Sequence, residues 1–273
     1  MRILITNDDG IGAAALTELA GCLVTAGHDV VVAAPMEGYS GCGASIGKVA
    51  ADHRVSVVRM KLSGAHDIAA HAVDGPPAFI VLAALQGIFG QRPDVIVSGP
   101  NSGFNLGPLV LHSGTLGAAV TAAANGVPGI ALSTDKRARF GFESAAKFCA
   151  RHLTGLVSAM GCGSALNINV PDLPLDRMAG IRLTNLSARS LVAIVVSDQE
   201  EVCGAAAERR EMRISLAHDS DGSLHRQWRA ANGERNDSDA QAIIDGCISV
   251  TVVQGGLRHL DGSGLDAVWR QAS

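Results

Sequence analysis

Short apolar runs alternate with helically spaced stretches along the N-terminal part of the chain. Residues 2–6 form one such run, ending in Asn7-Asp8-Asp9-Gly10. Residues 13–26 follow with Leu16, Leu19, Ala20 and Leu23 on one helical stripe, and Gly27 stands where a C-terminal cap glycine belongs. Residues 30–34 are a second apolar run, stopped by Pro35. Strands that are apolar on both faces are what a buried parallel sheet requires. The pattern resumes with a predicted helix over 78–89, a strand over 94–98, a helix over 117–125 and a strand over 129–133. This alternation predicts an α/β fold, with a doubly wound, mostly parallel sheet over roughly residues 1–185.

Residues 200–239 break the pattern. They hold most of the local charge, from Glu200 and Glu201 to Glu234 and Arg235. Polar and apolar residues alternate at Met212-Arg213-Ile214-Ser215-Leu216, and Asp221-Gly222 is a hairpin-turn dipeptide, so a protruding β-hairpin arm is expected. Such an arm serves subunit contact or is a solvated surface excursion, and the residues alone favour neither. A helix over 240–244 and a strand over 248–253 then return to the core. With no internal repeat and no low-complexity linker, residues 1–273 read as one domain, with a core of about 1–185 and 238–255 and the charged arm.

Composition narrows the function classes. Apolar residues are 47% and charged residues 18%, which suits a chain with a buried core. Aromatics are 3%, too few for stacking platforms, and a net charge of −4 disfavours a bulk grip on a nucleic-acid polymer. Residues 95–134 contain no Asp, Glu, Lys or Arg, yet Gly, Pro, Asn and Ser interrupt them too often for a membrane span of about 20 apolar residues. The carboxylates of Asp8 and Asp9 come too early for a secretory leader. Six scattered cysteines without a C-x-x-C pair fit a reduced chain, so a cytoplasmic protein with no membrane partner is expected.

In a doubly wound sheet, ligands bind beyond the carboxyl ends of the strands. The first strand ends in Asn7-Asp8-Asp9-Gly10 and not in a G-x-G-x-x-G turn. Two adjacent carboxylates repel a bare phosphate. A hard divalent cation such as Mg²⁺ or Mn²⁺ between them and the phosphate reverses that. The competing reading makes Asp9 a helix cap and Asp8 a solvated loop residue. The loop from Gly38 to Gly43 has glycines that let the backbone curl near a ligand, and Ser40 offers an oxygen; alone, it reads as a plain surface loop. After the third strand, residues 98–107 bring Asn101 and Asn105 among three glycines. His112-Ser113-Gly114-Thr115 then opens an Ala-rich helix, as an anion site or as an ordinary Ser/Thr cap. One sheet edge thus carries a carboxylate pair, an amide pair and an anion-binding helix start, a combination that fits metal-assisted phosphomonoester hydrolysis.

These residues also carry a resemblance. The pieces are ILITNDDGI at 3–11, the Ala-Pro to Ser-Gly loop at 34–41, VDGPPA at 73–78, VSGPNSGFNLG at 97–107 and SGTLGAA at 113–119. GVPGIALS at 126–133, LNINVPDLP at 166–174 and SDAQAIIDGCISVT at 238–251 complete them. The chain resembles the SurE family, stationary-phase survival proteins that act as metal-dependent nucleotide phosphatases. The resemblance implies a Rossmann-like fold and one divalent metal per subunit, Mg or Mn (in a crystal, Ca or another divalent), held by Asp8, Asp9, Ser40 and Asn101. It implies a phosphate neighbourhood at Asn105, Ser113, Gly114 and Thr115, and a catalytic set of Asp8, Asp9 and Asn101 acting on a small phosphate ester, nucleoside 5′- or 3′-monophosphates first. It also implies a cytoplasmic homodimer or homotetramer with exchanged C-terminal segments, and the charged arm falls where such an exchange would occur.

The chain departs from the family pattern in three places. Gly12-Ala13-Ala14-Ala15 stands where the family has His or Tyr before Ala-Pro-Gly, Met36-Glu37 where it has Asp-Arg, and His112 where it often has Tyr. Ligand positions are kept while pocket walls differ, so a shifted substrate is expected. The expected reaction is direct in-line attack by metal-activated water. Phosphatases with an aspartate nucleophile use D-x-D, which adjacent Asp8-Asp9 does not match. His112 reads as a general acid or as a packed, loop-capping histidine. Two readings compete with the enzyme. One is a degenerate member that binds a phosphorylated ligand without turnover. The other is a two-domain glycosyltransferase, whose opening is similar to MRILIT and AGHDVVVAAP but which has no use for the NDDG turn or the asparagine loop.

Overall fold

The first apolar run becomes an interior strand of a nine-stranded sheet in a computed structural model of the chain, which describes residues 1–47, 54–62, 68–189, 192–204, 207–218 and 237–255. In chain order the elements are β1 (Arg2–Thr6), α1 (Ala14–Thr25), β2 (Asp29–Pro35), β3 (Val57–Lys61), β4 (Ala69–Val73), α2 (Pro77–Leu85), β5 (Val95–Ser102) and α3 (Gly114–Ala124). They continue as β6 (Gly129–Thr134), α4 (Gly141–Ala159), β7 (Ser164–Val170), β8 (Gly180–Thr184), β9 (Val192–Gly204), β10 (Ala207–His218), α5 (Asp239–Ile244) and β11 (Cys247–Gln254). A 3₁₀ turn, Gly107–His112, leads into α3.

The strand order is β3-β4-β2-β1-β5-β6-β7-β11-β8. The run β4-β2-β1-β5-β6-β7 is parallel throughout. β3 joins antiparallel at one edge, and β11 is antiparallel to β7 and parallel to β8. Both faces of β1 are covered, as its continuous apolar run requires. Ile3 and Ile5 pack with Leu16, Leu19 and Leu23 of α1 and Phe148 and Leu153 of α4. Leu4 packs on the other face with Ile80 and Val81 of α2 and Ala118 and Ala122 of α3. Full burial of each such side chain stabilises by about 1.5–3 kcal/mol.

The expected strands and helices at 2–35 and 94–134 are present, and α3 begins earlier than its apolar stripe, at Gly114. The predicted helix at 78–89 stops at Leu85, where the chain turns through Gln86 and Gly87. β3, β4, α4, β7 and β8 were not predicted. The hairpin exists, but it pairs β9 with β10 and turns between Gly204 and Ala207. It starts before residue 200 because Val192–Val196 is itself a β-branched run that favours strand. Asp221-Gly222 lies outside the described residues.

Candidate active site at the switch point

β1 lies between β2 and β5, and the chain's crossovers leave it in opposite directions. A crevice therefore opens beyond the carboxyl ends of β1 and β5. Asn7 shapes the turn at its floor: its Nδ2 donates to the Gly10 carbonyl at 3.0 Å and its Oδ1 accepts the Gly10 N–H at 3.1 Å. The Asp8 carbonyl accepts the Tyr39 N–H at 2.7 Å, and the Pro35 carbonyl accepts the Ile11 N–H at 2.8 Å. These bonds tie the Ser40 loop to the aspartate turn, with the Ser40 side chain exposed.

Asp8 is 3% exposed. The Thr115 hydroxyl donates to its Oδ1 at 2.6 Å. Gly114 lies against its other oxygen: a Cβ there would stand 2.9 Å from Asp8 Oδ2 and 2.7 Å from Cys42 Sγ, so a glycine is required. Burial pushes the Asp8 carboxyl up to about 6, and the Asp9 charge adds to that push; the Thr115 hydroxyl and N–H pull the other way. Burial also raises Asp9, against the Ser102 N–H that it accepts at 3.1 Å and the nearby Lys136.

β5 delivers Asn101 through an interruption. Its register with β6 shifts between Ser98 and Asn101, across the cis Gly99–Pro100 bond. A Cβ on Gly99 would stand 2.3 Å from the Leu132 carbonyl. The Asn101 Nδ2 donates to the Gly103 carbonyl at 2.7 Å, which leaves its Oδ1 as an acceptor.

At the helix start the structure shows the cap. The Ser113 hydroxyl caps α3 by accepting the Leu116 N–H at 3.0 Å, while Thr115 serves Asp8. Asn105 sits beside the crevice in a buried polar network. Its Nδ2 donates to Ser133 Oγ at 2.7 Å, its N–H to Asn169 Oδ1 at 2.8 Å, and its carbonyl accepts Asn167 Nδ2 at 2.8 Å and Asn169 Nδ2 at 3.0 Å. The His112 carbonyl accepts the Gly43 N–H at 3.0 Å, and its side chain is exposed.

Four contributing residues escaped sequence reasoning. Asp239, fully buried at the start of α5, accepts the Gly107 N–H at 2.9 Å and the Ser187 N–H at 2.8 Å, which anchors the asparagine loop. Ser238-Asp239 ahead of a helical stretch was the available signal. Asn167 and Asn169 alternate with apolar residues in β7, the mark of a strand with one polar face. Lys136 opens a basic run just after β6.

The donor set fits a hard divalent cation. Among the described residues no three His, Cys, Asp or Glu side chains cluster, so a closed soft-ligand centre is not built there. The crevice instead offers two carboxylates, an amide oxygen and hydroxyls, the oxygen donors that Mg²⁺, Mn²⁺ and Ca²⁺ favour. The raised Asp8 carboxyl agrees, because burial and the neighbouring Asp9 charge both disfavour its ionised form and a bound cation would favour it.

The described residues contain no helix long and apolar enough to cross a membrane. The crystal structure of a SurE protein from Aquifex aeolicus superposes with a TM-score of 0.75 at 24% identity, covering 100% of both chains, which shows the fold. A 5'-nucleotidase SurE of Gloeobacter violaceus is 34% identical over 270 residues, 97% of this chain and 94% of that protein. Another, of Thermosynechococcus vestitus, is 40% identical over 190 residues, 69% of this chain and 71% of that protein. The model of the family described as Survival protein SurE matches residues 3–193, a span that takes in the aspartate turn, the asparagine loop and the start of α3. The Gloeobacter relative extends that match to nearly the whole length, and the chain belongs to the SurE family.

Proposed function

We propose that this chain is a divalent-metal-dependent phosphomonoester hydrolase acting on nucleoside monophosphates. The observation that carries the reading is the Asp8–Asp9 pair at the switch point, Asp8 buried and Asp9 half-buried, with Gly114 letting the start of α3 close against Asp8. The names of the curated relatives, 5'-nucleotidases, support the nucleotide substrate.

Asp8, Asp9, Ser40 and Asn101 would hold the cation, Mg²⁺ or Mn²⁺ by the donor chemistry. When bound, it supplies Lewis acidity and a water of lowered pKa. The chain's own residues do the rest. Thr115 orients Asp8 and the Ser102 N–H orients Asp9 before any substrate arrives. The first turn of α3, at Gly114 and Thr115, presents the positive end of a helix to the phosphate oxygens. Asn105, with Ser133, Asn167 and Asn169, keeps the asparagine loop in shape beside them.

The reading includes a cytoplasmic homodimer or homotetramer. Leu183 on the edge strand β8 is 75% exposed, with Ile181 and Val252 exposed beside it, which supports a covering subunit. The arm at 200–239 is the segment proposed for exchange. Cys22, Cys42, Cys149, Cys162 and Cys247 are free, which suits a reducing compartment.

The test is phosphate release from a panel of phosphomonoesters, with and without Mn²⁺ or Mg²⁺, comparing the native chain with Asp8→Asn. Metal-dependent release that falls by a factor on the order of 10³ in Asp8→Asn is expected. No release from any ester by metal-loaded protein would refute the reading.

A further inference from the structure

Three cations follow β6: Lys136, Arg137 and Arg139. The Arg139 guanidinium lies over the Phe140 ring, 5.1 Å from its centroid. Lys136 is exposed and has no ion-pair partner among the described residues.

Its backbone is nevertheless fixed. The Lys136 carbonyl accepts the Ser102 hydroxyl at 3.4 Å, and the N–H of the same Ser102 holds Asp9. Asp135 closes the turn, accepting the Arg137 N–H on Oδ1 at 2.8 Å and the Ala138 N–H on its carbonyl at 3.1 Å. Asp172 then receives the N–H groups of Arg139, Phe140 and Gly141. A loop bonded at three places thus holds Lys136 beside the crevice, one strand beyond Asn101.

Lys136 lies near enough for its charge to pull the Asp9 carboxyl down, against the burial that raises it. It stands outside ion-pair distance of either. The opposite wall, residues 36–47, carries Glu37 and neither Lys nor Arg. Positive charge from the protein strengthens the hold on a phosphate docking against two carboxylates, and among the described residues Lys136 is a side chain placed to give it.

We propose that Lys136 is the substrate-binding cation of this site: its ammonium meets a non-bridging phosphate oxygen from the β6 side and selects the doubly charged phosphate of monoesters over the singly charged phosphate of diesters. This rests on the phosphatase reading above. Lys136 determines affinity and specificity, while bond cleavage depends on the aspartate turn. An exposed ammonium is screened by water, so its effect is modest.

Steady-state kinetics on p-nitrophenyl phosphate test it, with Lys136→Met, Lys136→Arg and Arg137→Met. Lys136→Met is expected to raise KM about tenfold and the inhibition constant of inorganic phosphate by the same factor, with kcat within about twofold. Lys136→Arg restores most of the loss, Arg137→Met changes neither constant, and turnover of bis(p-nitrophenyl) phosphate shifts less than that of the monoester. A fall in kcat with KM and phosphate inhibition unchanged overturns the proposal, because Lys136 then only orders the Ser102–Asp9 contact. Unchanged kinetics overturn it too. If the native chain releases no phosphate from any ester, the phosphatase reading fails separately. Calorimetric titration with inorganic phosphate then decides on Lys136: binding about tenfold weaker in Lys136→Met supports it, and equal or absent binding overturns it.

Discussion

Asp8 and Asp172 occupy matching places in the α/β pattern, each just past the carboxyl end of a parallel strand, β1 in one case and β7 in the other. Their surroundings differ. Asp172 accepts three backbone N–H groups, from Arg139 at 3.0 Å, Phe140 at 2.7 Å and Gly141 at 2.9 Å. Burial works to raise its carboxyl, but these donors outweigh it and hold the group below the ordinary value. Asp8 is more deeply buried, has Thr115 as its donor and faces Asp9, so its carboxyl is pushed up to about 6. A carboxylate surrounded by donors is architecture, and one short of donors calls for a cation. Donor supply separates the cap reading of an aspartate from the ligand reading, which residue type and position do not.

The comparison predicts that filling the space beside Asp8 is far more harmful to activity than removing the Asp172 charge. Gly114→Ala places a methyl group 2.9 Å from Asp8 Oδ2 and 2.7 Å from Cys42 Sγ. A loss of roughly 100-fold in kcat/KM is expected, since displacing a reacting group by about 1 Å has that effect. Asp172→Asn stays within a few-fold of native. Kinetics of the two variants side by side check this, and equal losses would erase the distinction.

Metal should act on the Asp8 side alone. At a concentration about 100-fold above its dissociation constant, Mn²⁺ or Mg²⁺ is expected to stabilise the native chain by about 2.7 kcal/mol. Asp172→Asn keeps that gain in a thermal melt and Asp8→Asn loses it. Without metal, Asp8→Asn is expected to be at least as stable as the native chain, because it removes a poorly compensated charge. A metal-free Asp8→Asn that melts well below native would make Asp8 a structural residue, on the Asp172 side of the comparison.

Local pattern carried much of this into the sequence, and long-range bonding did not. β1, α1, β2, β5 and β6 were legible because burial on both faces leaves apolar runs. β3 is exposed along its whole length at the sheet edge and leaves no such trace. β7 was hidden by Asn167 and Asn169, buried polar residues inside an otherwise apolar strand. In the crevice, the Asp8–Asp9 turn and the Ser113–Thr115 helix start were legible as contiguous motifs. Asp239, which holds Gly107 from the far end of the chain, was not, because nothing local ties the two. The resemblance implied Asn105 beside the phosphate, and the structure commits its side-chain N–H to Ser133, a partner set by sheet register.

Between the two aspartates lies the asparagine network, and it should show both effects at reduced size. Asn169→Leu leaves the Asn105 N–H without its acceptor and removes one donor from the Asn105 carbonyl. A destabilisation of about 1–3 kcal/mol is expected in urea unfolding, from burying an unpaired group. Activity should fall too, since the loop bearing Asn101 and Ser102 is loosened. Full activity at reduced stability would confine the network to architecture, on the Asp172 side of the divide.

The smallest effect is the one that tests the donor-rich aspartate itself. Asp172→Asn should lower stability at neutral pH by about 1 kcal/mol, the usual worth of a helix-start cap. Its pH dependence has a definite sign. The folded carboxyl is held below its ordinary value of 3.8, so the folded state favours the ionised form. That contribution is complete above the ordinary value and is lost as the pH falls through the lower folded value. Urea midpoints of the native chain and Asp172→Asn should therefore differ at about pH 7 and at about pH 5, and converge toward about pH 3. The raised Asp8 carboxyl has the opposite linkage, since ionising it costs more in the fold than in the unfolded chain. Convergence in acid would place Asp172 among the caps by its own titration, whereas a difference that persists unchanged into acid would show that its N–H partners hold the neutral group as well, and that donor supply alone does not tell the two aspartates apart.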